Sequence, residues 1–473
     1  MLFNSFEFLL FFPAVVALYF LLPYASRWFL LLAASCFFYM YFKPEYILIL
    51  LVIIVIDFYA AKGIEATANK RKKKWFLILS ISSNLLILAI FKYYGFFNEN
   101  VTGLYQYFGR ENPFPELNII LPVGLSFHTF QAMGYTIDVY RGNFKAQKHF
   151  GIYALYEMFF PQLVAGPIER SRNIIPQFYE KHDPDPVLFS SGLRIMLWGF
   201  FKKMVIADNL SPIVDKIYNS PVDADPFAMT IATLFFTIQI YCDFSGYSDI
   251  AVGSARIMGF RMMRNFNFPY IASSFRDFWN RWHISLSSWF RDYLYIPLGG
   301  SRKGEARTMI NLFLVFAISG LWHGANWTFM IWGILHGTYL VIERIGEKSI
   351  RFSLPKFLRQ ILVFLLVVIA WVYFRADSIE DGNFIVRSIF GMNNEFDSVA
   401  GLKQLGIPNL NLLLLILFAL SLFVIFETKL YKGFMRNFIE QKKPLKYAAY
   451  FMLAICIIVF GNSDEVQFIY FQF

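Results

Sequence analysis

The side chain best suited to chemistry is a histidine inside an apolar part of the chain. Residues 320–327 read GLWHGANW, so His323 stands among tryptophans and glycines. The surrounding apolar run, Met309 to Ile342, contains one further histidine, His336. A neutral imidazole can accept a proton from a hydroxyl as that oxygen attacks an acyl carbon, and an ionisable side chain at membrane depth is a candidate functional group. We therefore predict acid–base chemistry at His323, with a packing histidine bonded to a carbonyl as the alternative.

A second histidine lies in an aromatic segment, Ser274 to Tyr295. Apolar residues recur there at helical spacing: Phe275, Trp279, Trp282, Leu286, Trp289 and Tyr293. Polar residues fill much of the rest, which predicts one amphipathic helix lying in the membrane interface. Because the basic residues Arg302, Lys303 and Arg307 follow at once, the cytoplasmic interface is favoured. His283 lies off the apolar stripe, and a solvated histidine is the alternative to a functional one.

Three arginines of this region are candidates for binding a phosphate-bearing ligand. They are Arg281, Arg291 and Arg302. A guanidinium group can bind a phosphate through two parallel hydrogen bonds. The alternative is attraction to anionic lipid headgroups, and the arginines alone do not decide between the two.

The composition indicates a helical membrane protein. Of the 473 residues, 57% are hydrophobic and 16% are charged, whereas soluble domains carry about 25% charged residues. The apolar runs predict about ten to twelve transmembrane helices in one integrated domain, residues 1–473. In such a protein the net charge of +10 indicates loop orientation and not nucleic-acid binding. Cys36, Cys242 and Cys456 lie in apolar segments without a paired Cys or His motif, so neither a disulfide framework nor a metal site is predicted.

Charge and chain-breaking residues predict how the spans are arranged. The densest basic cluster, residues 70–74, belongs in the cytoplasm, and three apolar runs precede it, which predicts an N-terminus on the outer side. As one helix, the run from Met309 to Ile342 would be about 50 Å long, against about 30 Å of hydrocarbon. It must therefore be tilted or broken, and Gly320, Gly324 and Asn326 mark the expected break.

Two acids follow the predicted span from Phe227 to Ile240. Asp243 and Asp249 stand at its end, where they either hold the helix bundle together or line a polar cavity. Residues 121–128 and 159–167 are apolar but interrupted, which is typical of broken or re-entrant helices.

The motifs of several familiar enzyme classes do not occur in the sequence. It contains no GxSxG nucleophile elbow, no HExxH zinc motif and no phosphate-binding loop of the P-loop type. No histidine is followed by an aspartate four or five residues later, so the His/Asp box of soluble-type acyltransferases is also missing. The membrane-depth histidine permits acyl transfer but does not by itself select it.

Seven motifs resemble one family. They are GLWHG at 320–324, WNRWHISLS at 279–287, RDYLYIPLGG at 291–300, PVGLSFHTFQ at 122–131, QLVAGPI at 162–168, DFSGYSD at 243–249 and FIYFQF at 468–473. Together they resemble the membrane-bound O-acyltransferase (MBOAT) family over nearly the whole chain. The likeness is greatest to the bacterial branch of alginate O-acetyltransferases, with teichoic-acid D-alanyl transfer proteins as relatives.

The resemblance implies a fold and an activity. His323 matches the family's catalytic histidine and His283 its second signature position. The implied fold is a ring of helices around a thin central region, with a cavity open to each face. The implied donor is a cytoplasmic acyl thioester, either acetyl-coenzyme A or an acyl carrier protein, with no tightly bound cofactor. The acyl group would pass to an exported acetyltransferase or small membrane partner proteins, and then to a polysaccharide outside the bacterial cytoplasmic (inner) membrane.

Donor- or substrate-binding residues are expected around the two histidines. The candidates are Trp282, Arg281, Arg291, Arg302, Trp322, Asn326, Trp327 and Asp243. We expect a narrow apolar channel ending at His323, with Trp322 and Trp327 bulky enough to exclude water and plain packing as their alternative role. His336 is expected to matter less, since it lies roughly 20 Å from His323 along a continuous helix.

Two other classes of function remain open. A transporter or flippase would be expected to carry internal repeats and charged residues on its spans. A non-catalytic scaffold of an exopolysaccharide-modification complex would not need His323.

Overall fold

The computed structural model is helical in all the regular elements that it describes. It describes residues 1–117, 119, 121–163, 166–349, 354–392, 396–407, 409–411, 413–414, 416–417, 420, 443–462 and 468–469. The α-helices are α1 (Phe6–Leu21), α2 (Tyr24–Met40), α3 (Tyr46–Ala66), α4 (Lys70–Leu88), α5 (Tyr94–Tyr107), α6 (Leu125–Tyr140), α7 (Phe150–Met158), α8 (Ser171–Ile174), α9 (Pro186–Phe200), α10 (Asp208–Tyr218), α11 (Pro226–Ile257), α12 (Phe275–Trp279), α13 (Ile284–Phe290), α14 (Glu305–His323), α15 (Trp327–Ser349), α16 (Lys356–Arg375), α17 (Ile379–Ile389), α18 (Ser398–Gln404) and α19 (Lys443–Phe460). Wider π-helical turns occupy Ala89–Tyr93, Phe201–Ala207 and Arg291–Tyr295, and short 3₁₀ helices occupy Pro176–Tyr179, Pro221–Asp223 and Pro269–Ile271. The predicted all-α class is confirmed.

The polytopic character is confirmed by helix length and composition. Among the described residues, five helical runs are long and apolar enough to cross a membrane: Tyr46–Ala66, Lys70–Tyr107, Pro226–Ile257, Glu305–His323 and Lys356–Arg375. Phe6–Leu21 and Tyr447–Phe460 are shorter apolar helices. The total of ten to twelve spans stays a prediction, because the apolar run at residues 412–425, one of the stretches counted in that total, falls largely outside the described residues.

The longest buried helix, α11, packs against α9 through two pairs of glycines. A Cβ on Gly199 would lie 2.7 Å from the carbonyl oxygen of Gly246, and one on Gly192 would lie 2.7 Å from that of Gly253. Both distances are too short for a real side chain, so only glycine permits this approach. Small residues at such contacts let membrane helices pack closely, because lipid provides no hydrophobic force between them. The spacing of seven residues on each helix is visible in the sequence, but we did not predict this contact.

Helices α14 and α15 form a tight antiparallel hairpin, which confirms the predicted break. The chain leaves the helix at Gly324, whose backbone is extended, and the side-chain oxygen of Asn326 accepts a hydrogen bond from the N–H of Thr328 at 3.0 Å. Gly320 has a different role from the one predicted. It lies inside α14, where a Cβ would overlap the carbonyl oxygen of Phe329 on the returning helix.

The prediction of one flat amphipathic helix over Ser274–Tyr295 is wrong. The chain forms α12, then turns at His283, whose φ of 42° interrupts any continuous helix, and resumes as α13. The aromatic stripe does not cover a lipid surface, since Trp282 is 1% exposed and Trp289 is 7% exposed. An apolar stripe at helical spacing reports that one face is buried, but not whether lipid or protein covers it.

Candidate active site

His323 lies at the C-terminal end of α14 inside a cage of aromatic rings. Its ring centroid is 5.0 Å from that of Trp322, 4.8 Å from that of Trp332 and 5.5 Å from that of Phe374, all edge-on. Only 3% of the residue is exposed. A helix from the basic loop at Arg302 therefore delivers an imidazole, after 19 residues or about 28 Å of rise, to an apolar enclosure.

The returning helix α15 brings a second histidine back to the same enclosure. The ring centroid of Trp332 lies 4.8 Å from that of His323 and 4.9 Å from that of His336. The expected separation of His323 and His336 along a continuous helix is therefore wrong, because the chain reverses between them. His336 is fully buried, also 4.9 Å from Trp279, and neither of its ring nitrogens has a hydrogen-bond partner among the described residues.

A lysine that the sequence reasoning missed meets the end of α14. The ammonium group of Lys92 donates hydrogen bonds to the carbonyl oxygens of Trp322 and His323, each at 2.8 Å. The neighbouring hydroxyl of Tyr93 donates to the carbonyl oxygen of Leu321, also at 2.8 Å. The available signal was a charged residue directly after the apolar run of the sequence that ends at Phe91.

His283 is held in a strained and fully buried turn. Its φ of 42° and ψ of 56° are left-handed, which is uncommon for a residue other than glycine and is often found at functional sites. Its Nδ1 lies 3.0 Å from the side-chain oxygen of Asn265, and the backbone N–H and hydroxyl of Ser285 donate to the same oxygen. The solvated alternative for His283 is therefore wrong.

These contacts determine the tautomer of His283. The side-chain oxygen of Asn265 can only accept, so the Nδ1 of His283 must carry the proton that is donated to it. In the neutral ring the lone pair is then on Nε2. This tautomer is suited to accepting a proton or hydrogen bond at Nε2 and not to polarising a carbonyl.

One phenylalanine ring connects the surroundings of the two candidate histidines. The ring centroid of Phe127 lies 6.0 Å from that of His283 and 5.5 Å from that of Trp322, which in turn contacts His323. Phe127 is on α6, which begins directly after Gly124, and the backbone of Gly124 is left-handed. The structure thus gathers His283 and His323 around shared aromatic neighbours, although they lie on different elements.

The three predicted arginines have separate neighbours. Arg281 forms a 2.6 Å ion pair with Asp277 and also donates to the carbonyl oxygen of Asn267 at 3.2 Å. Arg291 pairs with Asp292 at 2.9 Å, but 63% of its side chain is exposed. Arg302 is exposed beside α14. Arg291 and Arg302 are therefore more accessible to a dissolved ligand than Arg281.

A narrow cleft lies between α6 and the turn that carries Arg291. It is too narrow to hold a water molecule, and its lining consists of Phe130, Gln131, Gly134, Tyr156, Ile168, Glu169, Arg170, Ser171, Trp289 and Tyr293. Arg170, whose side chain is 7% exposed, pairs with Asp292 at 3.2 Å and lies 4.6 Å above the ring of Tyr293. Burial raises the pKa of Glu169, in the loop after α7, to about 7, which the bond from the N–H of Met263 partly offsets.

The inner wall of this cleft leads towards His323. Phe130 stacks on Trp289 with centroids 3.9 Å apart, and its ring centroid is 5.0 Å from that of Trp322. The indole N–H of Trp289 donates to the carbonyl oxygen of Phe130 at 2.8 Å. The rings of Phe130 and Trp322 therefore connect the arginine-bearing cleft with the histidine cage.

The remaining predicted residues lie in three different surroundings. Trp322 and Trp282 are buried in the aromatic core, at 4% and 1% exposure. Asn326 caps α15 and donates to the carbonyl oxygen of Asp377 at 3.1 Å. Trp327 is half exposed, and its indole N–H donates to Asn100 at 2.9 Å. Trp327 therefore lies at the rim beyond the cage and not within it.

Asp243 belongs to a buried ion-pair cluster. It pairs with Lys203 at 2.8 Å, and Lys203 also pairs with Asp208 at 2.6 Å. The backbone N–H of Ile469, in the described part of the C-terminal motif, donates to Asp243 at 2.8 Å. These partners fit the structural alternative for Asp243, because they already occupy its carboxylate. Among the described residues no group of three or more His, Cys, Asp or Glu side chains could hold a metal ion.

Comparisons with known proteins match large parts of the chain, including the candidate site. A model of the membrane-bound O-acyltransferase family matches residues 147–380, which include both His283 and His323. The chain is 43% identical over 321 residues to the probable alginate O-acetylase of Azotobacter vinelandii, covering 67% of this chain and 63% of that relative. It is 36% identical over 366 residues to the peptidoglycan O-acetyltransferase of Helicobacter pylori, covering 71% and 68%.

A more distant relative carries a different acyl group in its name. The chain is 29% identical over 246 residues to the teichoic acid D-alanyltransferase of Bacillus subtilis, covering 50% of this chain and 62% of that relative. The match therefore spans less than two thirds of the length of the alginate and teichoic-acid relatives.

Proposed function

Because the chain belongs to the membrane-bound O-acyltransferase family, we propose that it moves an acyl group, most simply acetyl, from a thioester to a hydroxyl. The observation that carries the proposal is the enclosure of His323, a proton acceptor at the end of a membrane helix, within three aromatic rings. The names of the alginate and peptidoglycan relatives favour acetyl over other acyl groups.

In the proposed reaction His323 is the general base. As the acceptor hydroxyl attacks the thioester carbonyl, the imidazole takes the hydroxyl proton, a carbon–oxygen bond forms and the carbon–sulfur bond breaks. The thiolate then takes up the proton from the imidazolium, so that the histidine is returned to its neutral form. The aromatic cage excludes water, which would otherwise compete with the hydroxyl for the thioester.

His283 is proposed to act on the donor side of the same site. Its Nδ1–H is engaged with Asn265, so its Nε2 is an acceptor for an N–H group of the donor's arm. In this role His283 orients the thioester, and the left-handed turn fixes the direction of the ring.

The donor is proposed to be a cytoplasmic acetyl-coenzyme A or acyl carrier protein. Carrying its phosphate charges through the hydrocarbon would cost several kcal/mol each, so only the acyl-bearing arm should enter the protein. The cleft beside Phe130 is the proposed entrance, since Arg170 lines it and the more exposed Arg291 and Arg302 lie on the neighbouring turn and loop. Separation of the Phe130 and Trp289 rings would open the way to His323.

The acceptor and the location are also proposals. The acyl group would cross the bacterial inner membrane and reach an exported or cell-surface polysaccharide, through an exported acetyltransferase or a small membrane partner protein. The N-terminus is proposed to lie outside, since the basic cluster before α4 favours the cytoplasm.

The same chemistry disfavours the other two functions. A transporter or flippase moves a whole solute and needs a polar passage, whereas aromatic rings surround His323. A non-catalytic scaffold needs neither a water-excluding cage nor an oriented second histidine. Retention of acylation by a variant that lacks His323 would favour the scaffold.

The test is the ester content of the exported glycan in cells that depend on this protein. His323→Ala should remove nearly all base-labile acetate from the isolated glycan, because loss of a general base typically costs about 10²–10⁴-fold in rate. The matched control is His149→Asn, since His149 is exposed and caps α7 through its ring, a role that asparagine can keep. With equal amounts of each variant in the membrane, wild-type esterification by His323→Ala would contradict the proposal.

A further inference from the structure

We propose that Lys92 is a positioning residue that fixes His323 by binding the backbone at the end of α14; this rests on the proposed function of His323. Lys92 lies outside the residues matched by the family model, on a different helix from either histidine. It does not reach the reacting atoms in this proposal. It acts through the two carbonyl groups that it contacts.

The last carbonyl groups of a helix need partners from outside the helix. The chain becomes extended at Gly324, so the carbonyls of Leu321, Trp322 and His323 are not used by a further helical turn. Each of the three accepts a hydrogen bond at 2.8 Å, the first from Tyr93 and the other two from Lys92. A cation at a helix C-terminus is also attracted by the helix dipole.

The helix that carries Lys92 is locally widened at this point. In a regular α-helix, neighbouring side chains point about 100° apart, so two successive residues rarely bind the same target. Residues Ala89–Tyr93 instead form a π-helical turn, a feature often found at functional sites. Both Lys92 and Tyr93 then reach the same end of α14.

The contacts of Lys92 extend to the walls of the site. Its ammonium group lies 5.9 Å from the ring centroid of Trp322, in a cation–π arrangement, and 3.5 Å from the hydroxyl of Ser126. Ser126 precedes Phe127, the ring that connects Trp322 with His283. Lys92 thus ties α14 to α6 next to the base, and its loss should let the imidazole move without unfolding the bundle.

The test compares Lys92→Met with Lys92→Arg in membrane vesicles supplied with acetyl-coenzyme A. Methionine keeps the apolar stem and removes the donors, and a misplacement of about 1 Å can cost about 10²-fold in rate. We expect kcat per folded protein to fall by about that factor, with the KM for the donor changed less than threefold. Lys92→Arg, which still donates to carbonyls, should recover most of the loss, and the exposed Lys403→Met should match wild type.

A second measurement does not depend on activity. Diethyl pyrocarbonate modifies accessible imidazoles, and mass spectrometry measures the rate at each histidine. We expect Lys92→Met to raise the modification rate of His323 at least fivefold while that of the exposed His149 stays constant. If the modification rate of His323 is the same in Lys92→Met and wild type, the positioning role is overturned. If that rate rises in Lys92→Met but the wild-type protein transfers no acyl group, only the proposed function is contradicted.

Two kinetic results would also overturn the inference. One is a wild-type kcat per folded protein in Lys92→Met. The other is a loss of kcat per folded protein that Lys92→Arg does not recover. If Lys92→Met does not accumulate, Lys92→Gln replaces it. Its amide is uncharged and lies on a shorter side chain, so kcat should fall below that of wild type, and a wild-type kcat in Lys92→Gln would overturn the inference.

Discussion

At the scale of single residues, the two candidate histidines are prepared in different ways. His323 has a regular helical backbone and an apolar enclosure, whereas His283 has a left-handed backbone and a polar partner, Asn265. A strained backbone conformation costs free energy and persists only where its surroundings hold it, and such conformations cluster at functional sites. The left-handed backbone of His283 therefore supports a functional role for this residue.

The role of His283 can be separated from its backbone conformation. Asparagine tolerates the left-handed region better than alanine does, so His283→Asn should accumulate at the wild-type level while His283→Ala accumulates less. Because the imidazole is lost in both, we expect glycan esterification by His283→Asn to fall at least tenfold at equal protein. Full esterification by His283→Asn would remove His283 from the site.

Both histidines were predictable from the sequence, but the residues that fix their positions were not. His323 was found from its isolation in an apolar run, and His283 from the resemblance. Lys92 and Asn265 were missed because each acts through a partner distant in the chain, and a single sequence carries no signal for such pairs.

At the scale of elements, the hairpin of α14 and α15 decides where His323 lies. Gly324 and Asn326 predicted the break correctly, since glycine and asparagine favour turns, whereas Gly320 did not. The close approach of the two helices was not predictable, because a glycine that starts a turn and one that permits helix contact look the same in the sequence. The prediction of one interfacial helix over Ser274–Tyr295 was wrong for a related reason. A stripe of aromatic residues looks the same in the sequence whether lipid or protein covers it.

This close approach gives a stability prediction. In Gly320→Ala the new methyl group would overlap the backbone of Phe329, so the free energy of unfolding should fall by about 1–3 kcal/mol, as for other overpacked contacts. The measurement is the melting temperature of the purified protein in detergent. The control is Gly103→Ala on α5, where a Cβ meets nothing within 4 Å, and equal melting temperatures for the two variants would contradict the packing argument.

At the scale of the whole molecule, composition and charge predicted a helical membrane protein correctly, but they did not predict how its helices pack together. The long apolar helices and the absence of strands among the described residues follow from hydropathy alone. The glycine contacts of α9 with α11 and the buried cluster at Asp243 determine how the helices are assembled. Neither was predictable, because partners on different helices are brought together only by folding.

The orientation of the molecule gives a further prediction. Lys70–Tyr107 is one helical run of 38 residues, about 57 Å long, which begins at the basic cluster. In a variant without native cysteines, Lys72→Cys and Arg302→Cys should react with an impermeant maleimide only after the cells are opened. Tyr107→Cys, at the other end of the run, should react in intact cells. Labelling of Lys72→Cys from outside would reverse the proposed topology.

The role of His323 in acyl transfer is tested most directly by following the acyl group itself. Inside-out membrane vesicles would receive radiolabelled acetyl-coenzyme A or radiolabelled acetyl–acyl carrier protein, and base-labile label would be counted in the glycan they carry. We expect label in the glycan of wild type and His149→Asn, and at least a hundredfold less in that of His323→Ala at equal protein. Equal labelling by His323→Ala and wild type would contradict the role of His323 in acyl transfer.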